Sequence, residues 1–110
     1  MAEVFKNASV VDVSDSSANT LYTAPASTTS IVLGAAIANK SGNTVAVTMS
    51  FNDTSGSKTT QMIPSVQIPA NTTLEVLAGQ KYILETGDSL TVLADTASSI
   101  DITLGVLELS

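Results

Sequence analysis

Along residues 44–51 the chain alternates without a break. Val45, Val47, Met49 and Phe51 fall on one side; Thr44, Ala46, Thr48 and Ser50 fall on the other. A period of two puts these sets on opposite faces of an extended strand, one face buried and one wet. The same period returns near the end, where Ile100, Ile102, Leu104 and Val106 alternate with Asp101, Thr103, Gly105 and Leu107. Residues 31–38 are apolar throughout. Periodicity cannot separate a buried strand from a buried helix there, but the short length and the β-branched Ile31 and Val32 favour a central strand. Weaker strand signals lie at residues 9–13, 20–23, 65–68, 74–77, 82–84 and 90–92. Pro64 and Pro69 bracket the segment 65–68. Proline donates no ladder hydrogen bond, so that segment is an edge or a short strand.

Polar breaks separate these runs. Residues 39–43, with Gly42 inside, read as the loop of a hairpin. Residues 52–57 form a polar loop tip, and residues 85–89 a tight connection through Gly87. Residues 95–99 read as a loop rather than a helical turn. About eight short strands, with turn signals roughly every 8–12 residues, predict an all-β, antiparallel β-sandwich of jelly-roll-like form in a single domain. Neither an amphipathic helix nor an internal repeat is visible. Residues 21–110 are expected to form the sandwich. Residues 1–20 are expected to supply an N-terminal arm, to about residue 7, and a first weak strand.

The last strand departs from this scheme. Leu107 and Leu109 fall on the face opposite Ile102, Leu104 and Val106. Two readings stay open. The strand is central, with a covering loop or a bulge that shifts its phase. Alternatively, its outer face is buried against another subunit or a partner, and Leu107 and Leu109 mark an assembly interface.

Composition narrows the chemistry. Charged residues make up 13% of the 110, about half the usual share of ~25%. Ser and Thr, about 30 residues in all, take their place. His, Cys, Trp and Arg are absent, the four cations being Lys6, Lys40, Lys58 and Lys81. A hydroxyl triad, a Cys–His pair, a zinc site of ordinary ligands and a disulfide are therefore excluded. So is a bidentate guanidinium clamp for phosphate. A net charge of -6 repels phosphate backbones, so no nucleic-acid partner is expected. No apolar run approaches the ~20 residues of a spanning helix, and the start lacks a basic-then-apolar signal. Synthesis in a cytoplasm, with no membrane partner, is the expectation. Four Asn-x-Ser/Thr sites, at Asn7, Asn39, Asn52 and Asn71, are what so many Asn, Ser and Thr residues produce by chance.

Carboxylates remain as candidate chemistry. A glycosidase needs two of them about 5–10 Å apart. Glu85 and Asp88 flank a turn, with Glu75 in the preceding strand. With Phe5, Tyr22, Phe51 and Tyr82 as the whole aromatic set, solvated turn residues are the favoured reading. Tyr22 and Tyr82 read as core or rim aromatics. Residues 12–17 are rich in oxygen but lack the Asp-x-Asp-x-Asp-Gly order of a calcium loop, so they read as backbone caps. Gly34 and Gly105 lie inside strand patterns, where glycine marks a bulge or a close backbone approach. No catalytic residue, metal ligand or cofactor is assigned.

Several strings are familiar together. Leu21-Tyr22-Thr23-Ala24-Pro25-Ala26 leads through Thr28-Thr29 into Ile31-Val32-Leu33. Then follow Ile68-Pro69-Ala70-Asn71, Leu84-Glu85-Thr86-Gly87-Asp88-Ser89-Leu90 and Val106-Leu107-Glu108. In this order, over residues 21–110, the chain resembles small β-sandwich virion structural proteins of tailed bacteriophages, the cyanophage-like group in particular. In that group the Gly-Asp-Ser-Leu turn introduces the last hairpin. The resemblance implies a non-enzymatic virion component: a capsid decoration (cement) protein on the major capsid protein, or a neck, tail or fibre protein. It also implies a homo-oligomer, often a trimer. The reading from another class is a carbohydrate- or cell-surface-binding β-sandwich module.

Overall fold

The computed structural model describes residues 3–76 and 82–110. Among these residues the regular elements are all strands. They are β1 (Glu3–Val10), β2 (Asn19–Thr23), β3 (Thr29–Asn39), β4 (Val45–Asp53) and β5 (Lys58–Ile68), followed by β6 (Thr72–Val76), β7 (Tyr82–Leu84), β8 (Ser89–Ala94) and β9 (Ile100–Leu109). One sheet runs β1-β9-β3-β6, with β7 also on β3; the other runs β2-β8-β4-β5. All pairings are antiparallel. β7 pairs with Ser30 to Val32 and β6 with Ala35 to Asn39, so the two share one edge of β3. Counting that edge once, the two sheets show the jelly-roll order. The expected antiparallel sandwich is what the chain forms.

The alternating sequences explain the layers. Val45, Val47 and Met49 of β4 are fully buried, as are Leu90 and Val92 of β8. They face Val32 and Ile37 of β3 and the inner row Ile100, Ile102, Leu104 and Val106 of β9 across the interior. Each such aliphatic side chain contributes about 1.5–3 kcal/mol by leaving water. The apolar run 31–38 is a central strand, flanked by β9 and by β6 with β7.

Three expectations are corrected. The segment 39–43 is not a hairpin loop: it carries the chain from β3 in one sheet to β4 in the other. Asn39 builds this crossing. It is 2% exposed, and its Nδ2 donates to the carbonyls of Asn43 (2.8 Å) and Ile68 (2.9 Å). Its Oδ1 accepts from Ser41 N at 3.0 Å and Ser41 Oγ at 2.8 Å. One buried amide thus ties the β3–β4 crossing to the β5–β6 crossing. Likewise β8 and β9 lie in different sheets, so the Gly-Asp-Ser-Leu turn introduces no hairpin here. The sequence-adjacent pair β4 and β5 does form one.

The second correction is at the N-terminus. Glu3 to Asn7 are not a loose arm but the first half of β1, paired with β9 from Glu3↔Leu109 to Val10↔Ile102. This segment shows no clean alternation because β1 is an edge strand with one side open to water. The strand expected over 9–13 ends at Val10. Asp12 turns at φ 55, and Val13 drops into the core with its N–H on Ile100 O at 2.8 Å.

The third concerns β5. It is the edge strand the prolines announce, but it runs upstream through Pro64 to Lys58. Register shifts between Val47 and Ser50 of β4 leave extra residues on β5, and Ser65 there takes φ 48. Bulges are where an edge strand accommodates proline. β6 ends at Val76; Leu77, expected in that strand, lies outside the described residues.

Candidate functional site

The two outer surfaces of the sandwich differ in kind. On the β2-β8-β4-β5 sheet the outward positions are mainly hydroxyls and amides, several bonded to one another, with Leu93 and Ala46 among them. Asn52 Nδ2 donates to Ser89 Oγ (3.2 Å) and Thr91 Oγ1 (3.3 Å), and Thr59 Oγ1 donates to Asn52 Oδ1 (3.1 Å). Thr48 Oγ1 and Ser65 Oγ lie 3.3 Å apart. This surface suits water.

The outer surface of the β1-β9-β3 sheet carries an apolar row. Register places Phe5 beside Leu107, Leu107 beside Ile31, and Ile31 beside Ile83, one residue from each of four strands. Phe5 is 75% exposed and Ile83 59%, with Leu107 half-buried between its neighbours. Leu109 follows on the same face, between Glu3 and Thr29. The phase of β9 never shifts: Ile100 to Glu108 alternate inward and Asp101 to Leu109 outward. The bulge of this sheet sits in β3, where Leu33 is the extra residue. Leu107 and Leu109 are therefore outward residues of a central strand. Phe5, Ile31 and Ile83 complete the row, and sequence reasoning missed them because only cross-strand register unites them.

One step along β9 and β3 the row gives way to a trough. Gly105 and Gly34 are register partners. Neither takes positive φ. A Cβ on Gly34 would meet nothing within 4 Å, and one on Gly105 only the Lys6 carbonyl at 4.0 Å. Among the described residues nothing crowds either position, although each glycine costs about 0.5–1 kcal/mol in a strand relative to Ala. Together they leave an open cavity of about 530 Å³, with Asn7, Leu33, Ala36, Thr103 and Glu75 at its margin. A smaller cavity of about 360 Å³ lies between Phe51, Thr60, Met62, Tyr82 and Ile83, continuing the apolar row around the edge.

The carboxylates weighed as chemistry are engaged in holding turns. Asp88 is 2% exposed; Oδ1 accepts from Thr54 N and Oδ2 from Glu85 N, both at 3.0 Å. Beside it Gly87 adopts φ 89, donates to Ala24 O at 3.1 Å and accepts from Thr54 Oγ1 at 2.7 Å. The β2–β3 and β7–β8 crossings are thereby joined to the end of β4. Glu85 is exposed, and Glu75 lies on β6 at the trough margin. The Lys40 ammonium sits between Asp12 and Asp101, which raises the lysine pKa, Asp12 contributing most. Within the segment 12–17, Ser14 Oγ accepts from Ser16 N and Ser17 N. Among the described residues no three His, Cys, Asp or Glu side chains gather as a metal site, and every buried side-chain N or O has a partner.

A second carboxylate, Glu108, is also buried, on the inner side of β9. Glu108 accepts from the Tyr22 hydroxyl and pairs with Lys6 at 3.2 Å, while Ser30 Oγ lies 2.7 Å from the same hydroxyl. The Tyr22 bond, with Lys6 adding to it, holds the Glu108 pKa below its usual range. Burial, then Glu108, pushes the Tyr22 phenol up to about 12. The signs follow from linkage. A depressed carboxylate stabilises the fold above its unfolded pKa, near 4.5 for Glu108, and that stability is lost as pH falls below it. A raised phenol stabilises below pH 10, and that contribution is lost between 10 and about 12. The melting temperature followed by circular dichroism is expected to be level between these limits and to fall on both sides. Tyr22→Phe lowers stability at neutral pH by about 1–3 kcal/mol and flattens the alkaline limb, leaving the part due to Lys40. An unchanged alkaline slope would refute the assignment to Tyr22.

Fold and surface together define a jelly-roll module whose buried polar side chains are hydrogen-bonded among the described residues and whose β1-β9-β3 face carries an exposed apolar row. Comparison with known proteins places it further. No family model matches the chain, and no curated protein sequence matches it. Solved structures do. One is a chain of Bacillus endospore appendages, described as a novel family of disulfide-linked pili. It has a TM-score of 0.57 and 12% identity, over 98% of this chain and 88% of that one. Another is a chain of the cyanophage Pam1 capsid asymmetric unit, with a TM-score of 0.52 and 15% identity, over 96% of this chain and 83% of that one. At these identities the likeness is one of fold.

Proposed function

We propose that this chain is a non-enzymatic structural component of a bacteriophage virion, a capsid decoration (cement) protein that binds the major capsid protein. The observation that carries the reading is the exposed apolar row Phe5, Leu107, Ile31 and Ile83 on a module whose buried polar side chains, among the described residues, are already hydrogen-bonded. Such a surface is built for contact with protein. The fold likeness to a cyanophage capsid chain supports the placement. So do three of the strings in which the chain resembles phage virion proteins, at residues 21–26, 68–71 and 84–90, because each lies at a crossing between the sheets. Ala24 N donates to Asp88 O at 2.9 Å, joining the Tyr-Thr-Ala-Pro string to the Gly-Asp-Ser-Leu string. Asn71 N donates to Ser41 O at 3.1 Å, just after the Ile-Pro-Ala string. The resemblance is thus one of jelly-roll corners. In this reading the chain is made in the host cytoplasm and resides in the virion as a homo-oligomer, the trimer being the order the resemblance implies.

Quantitative mass spectrometry of purified virus particles tests the proposal. A copy number near that of the major capsid protein supports decoration. A few copies per particle replaces it with a neck, tail or fibre position, and absence from particles overturns the virion reading. The likeness to spore appendages favours a second reading, a subunit of a cell-surface filament. The chain has no cysteine, so a filament built from it would be non-covalent, and the protein would then be found in the cell-surface fraction.

A further inference from the structure

We propose that the outer face of the β1-β9-β3 sheet closes on the same face of a second copy of this chain, about a two-fold axis. Leu107 and Ile31 of each copy fill the trough over Gly105 and Gly34 of the other. The inference rests on the reading of this face as a protein contact, not on the virion placement; it gives the face to a second copy in place of the capsid protein, and a pair in place of the trimer that the resemblance implies.

The face is self-complementary. On β9, Leu107 and Gly105 are successive outward positions; on β3, Ile31 and Gly34 are, with Leu33 bulged between them. The large residues are register partners of each other, and so are the glycines. A two-fold axis in the interface plane, running across the strands midway between the two rows, sets β9 over β9 and β3 over β3. Each large side chain then meets a position with no side chain. Packed sheets stand about 10 Å apart, so a Leu or Ile seats fully only opposite a very small residue. This gives the glycines a role that no contact among the described residues provides. The match involves the two central strands, where the divergence of twisted sheets is smallest.

Size and charge agree. Four strands about 4.8 Å apart and about ten residues long at 3.3 Å per residue present roughly 600 Å² of plane, close to the ~800 Å² per partner of an ordinary stable interface. The row and the trough floor carry no charge. Of the carboxylates on this face, Glu3 lies beside Leu109 at one end, Asp101 is held by Lys40 at the other, and Glu75 stands at the side margin of the trough. Two chains of net charge -6 repel at long range, so added salt is expected to strengthen the pair. A trimer would need two different surfaces on each copy. A face that carries both its knobs and its holes is completed by one partner.

Size-exclusion chromatography with light scattering, with analytical ultracentrifugation for the dissociation constant, tests this. The full chain is expected at twice its 11.2 kDa mass. The double variant Gly34→Val, Gly105→Val places side chains where the single chain has open space, so it is expected to keep the native circular dichroism and melt no lower. It is also expected to dissociate with a constant raised by about 100-fold or more. A three-chain mass, a monomer at about 1 mM, or a dimer untouched by the double variant overturns the proposal. Virion copy number bears on none of these outcomes, so the two readings fail separately.

Discussion

Asp88→Ala is expected to lower the stability of the fold by about 1–3 kcal/mol, the loss of two part-buried hydrogen bonds from backbone N–H groups to a buried carboxylate. The geometry is specific. Each carboxylate oxygen takes one N–H at 3.0 Å, Thr54 at the end of β4 and Glu85 at the end of β7, and the side chain is all but sealed from water. For a domain of this size the change corresponds to roughly 5–20 °C in melting temperature. Asp88→Asn keeps one acceptor oxygen and turns an amide toward the other N–H, so it is expected to recover less than half the loss. Urea denaturation measures both. A loss below about 1 kcal/mol for Asp88→Ala would show that the three-way junction holds without its carboxylate.

Ile37→Ala is expected to be at least as damaging, at about 3–4 kcal/mol, because a fully buried side chain is replaced by a void that two sheets cannot both close on. The informative control is on the same strand. Ile31 sits on the outer face of β3, in the apolar row. Ile31→Ala is expected to cost the separated chain less than about 1 kcal/mol while weakening association. Denaturation of dilute protein and ultracentrifugation of concentrated protein then separate the two faces of one strand. Equal losses of stability at both positions would mean that the outer face is packed within a single chain, which the open cavity beside it contradicts.

Much of this fold was legible along the chain because strand alternation is a local signal. The inner rows of β4 and β9 and the central place of β3 follow from which residues shun water. The turn positions were legible as well, since Gly, Asn, Asp and Ser mark a change of direction. What a turn does was not. Residues 39–43 and 85–89 carry signals that fit a hairpin and a crossing alike. The choice between them depends on Asn39 reaching Ile68 and on Asp88 reaching Thr54, contacts across long loops that no local pattern encodes. β1 was hidden for the same reason: its only ladder partner is the other end of the chain.

The candidate site divides along this line. Leu107 and Leu109 were visible as a violation of the strand's own period, and Gly34 and Gly105 as glycines inside strands. That Leu107 joins Phe5, Ile31 and Ile83, and that the two glycines face each other one row away, is a matter of register between strands up to about a hundred residues apart. By itself the sequence determined the class of fold and the chemistry it cannot perform, because burial preference and side-chain inventory are properties of single residues. Only the tertiary structure decided the jelly-roll order, the engagement of Asp88 and Glu108, and the pairing of an apolar row with a glycine trough. Those are relations between residues, and backbone hydrogen bonding sets them only once the two sheets are assembled.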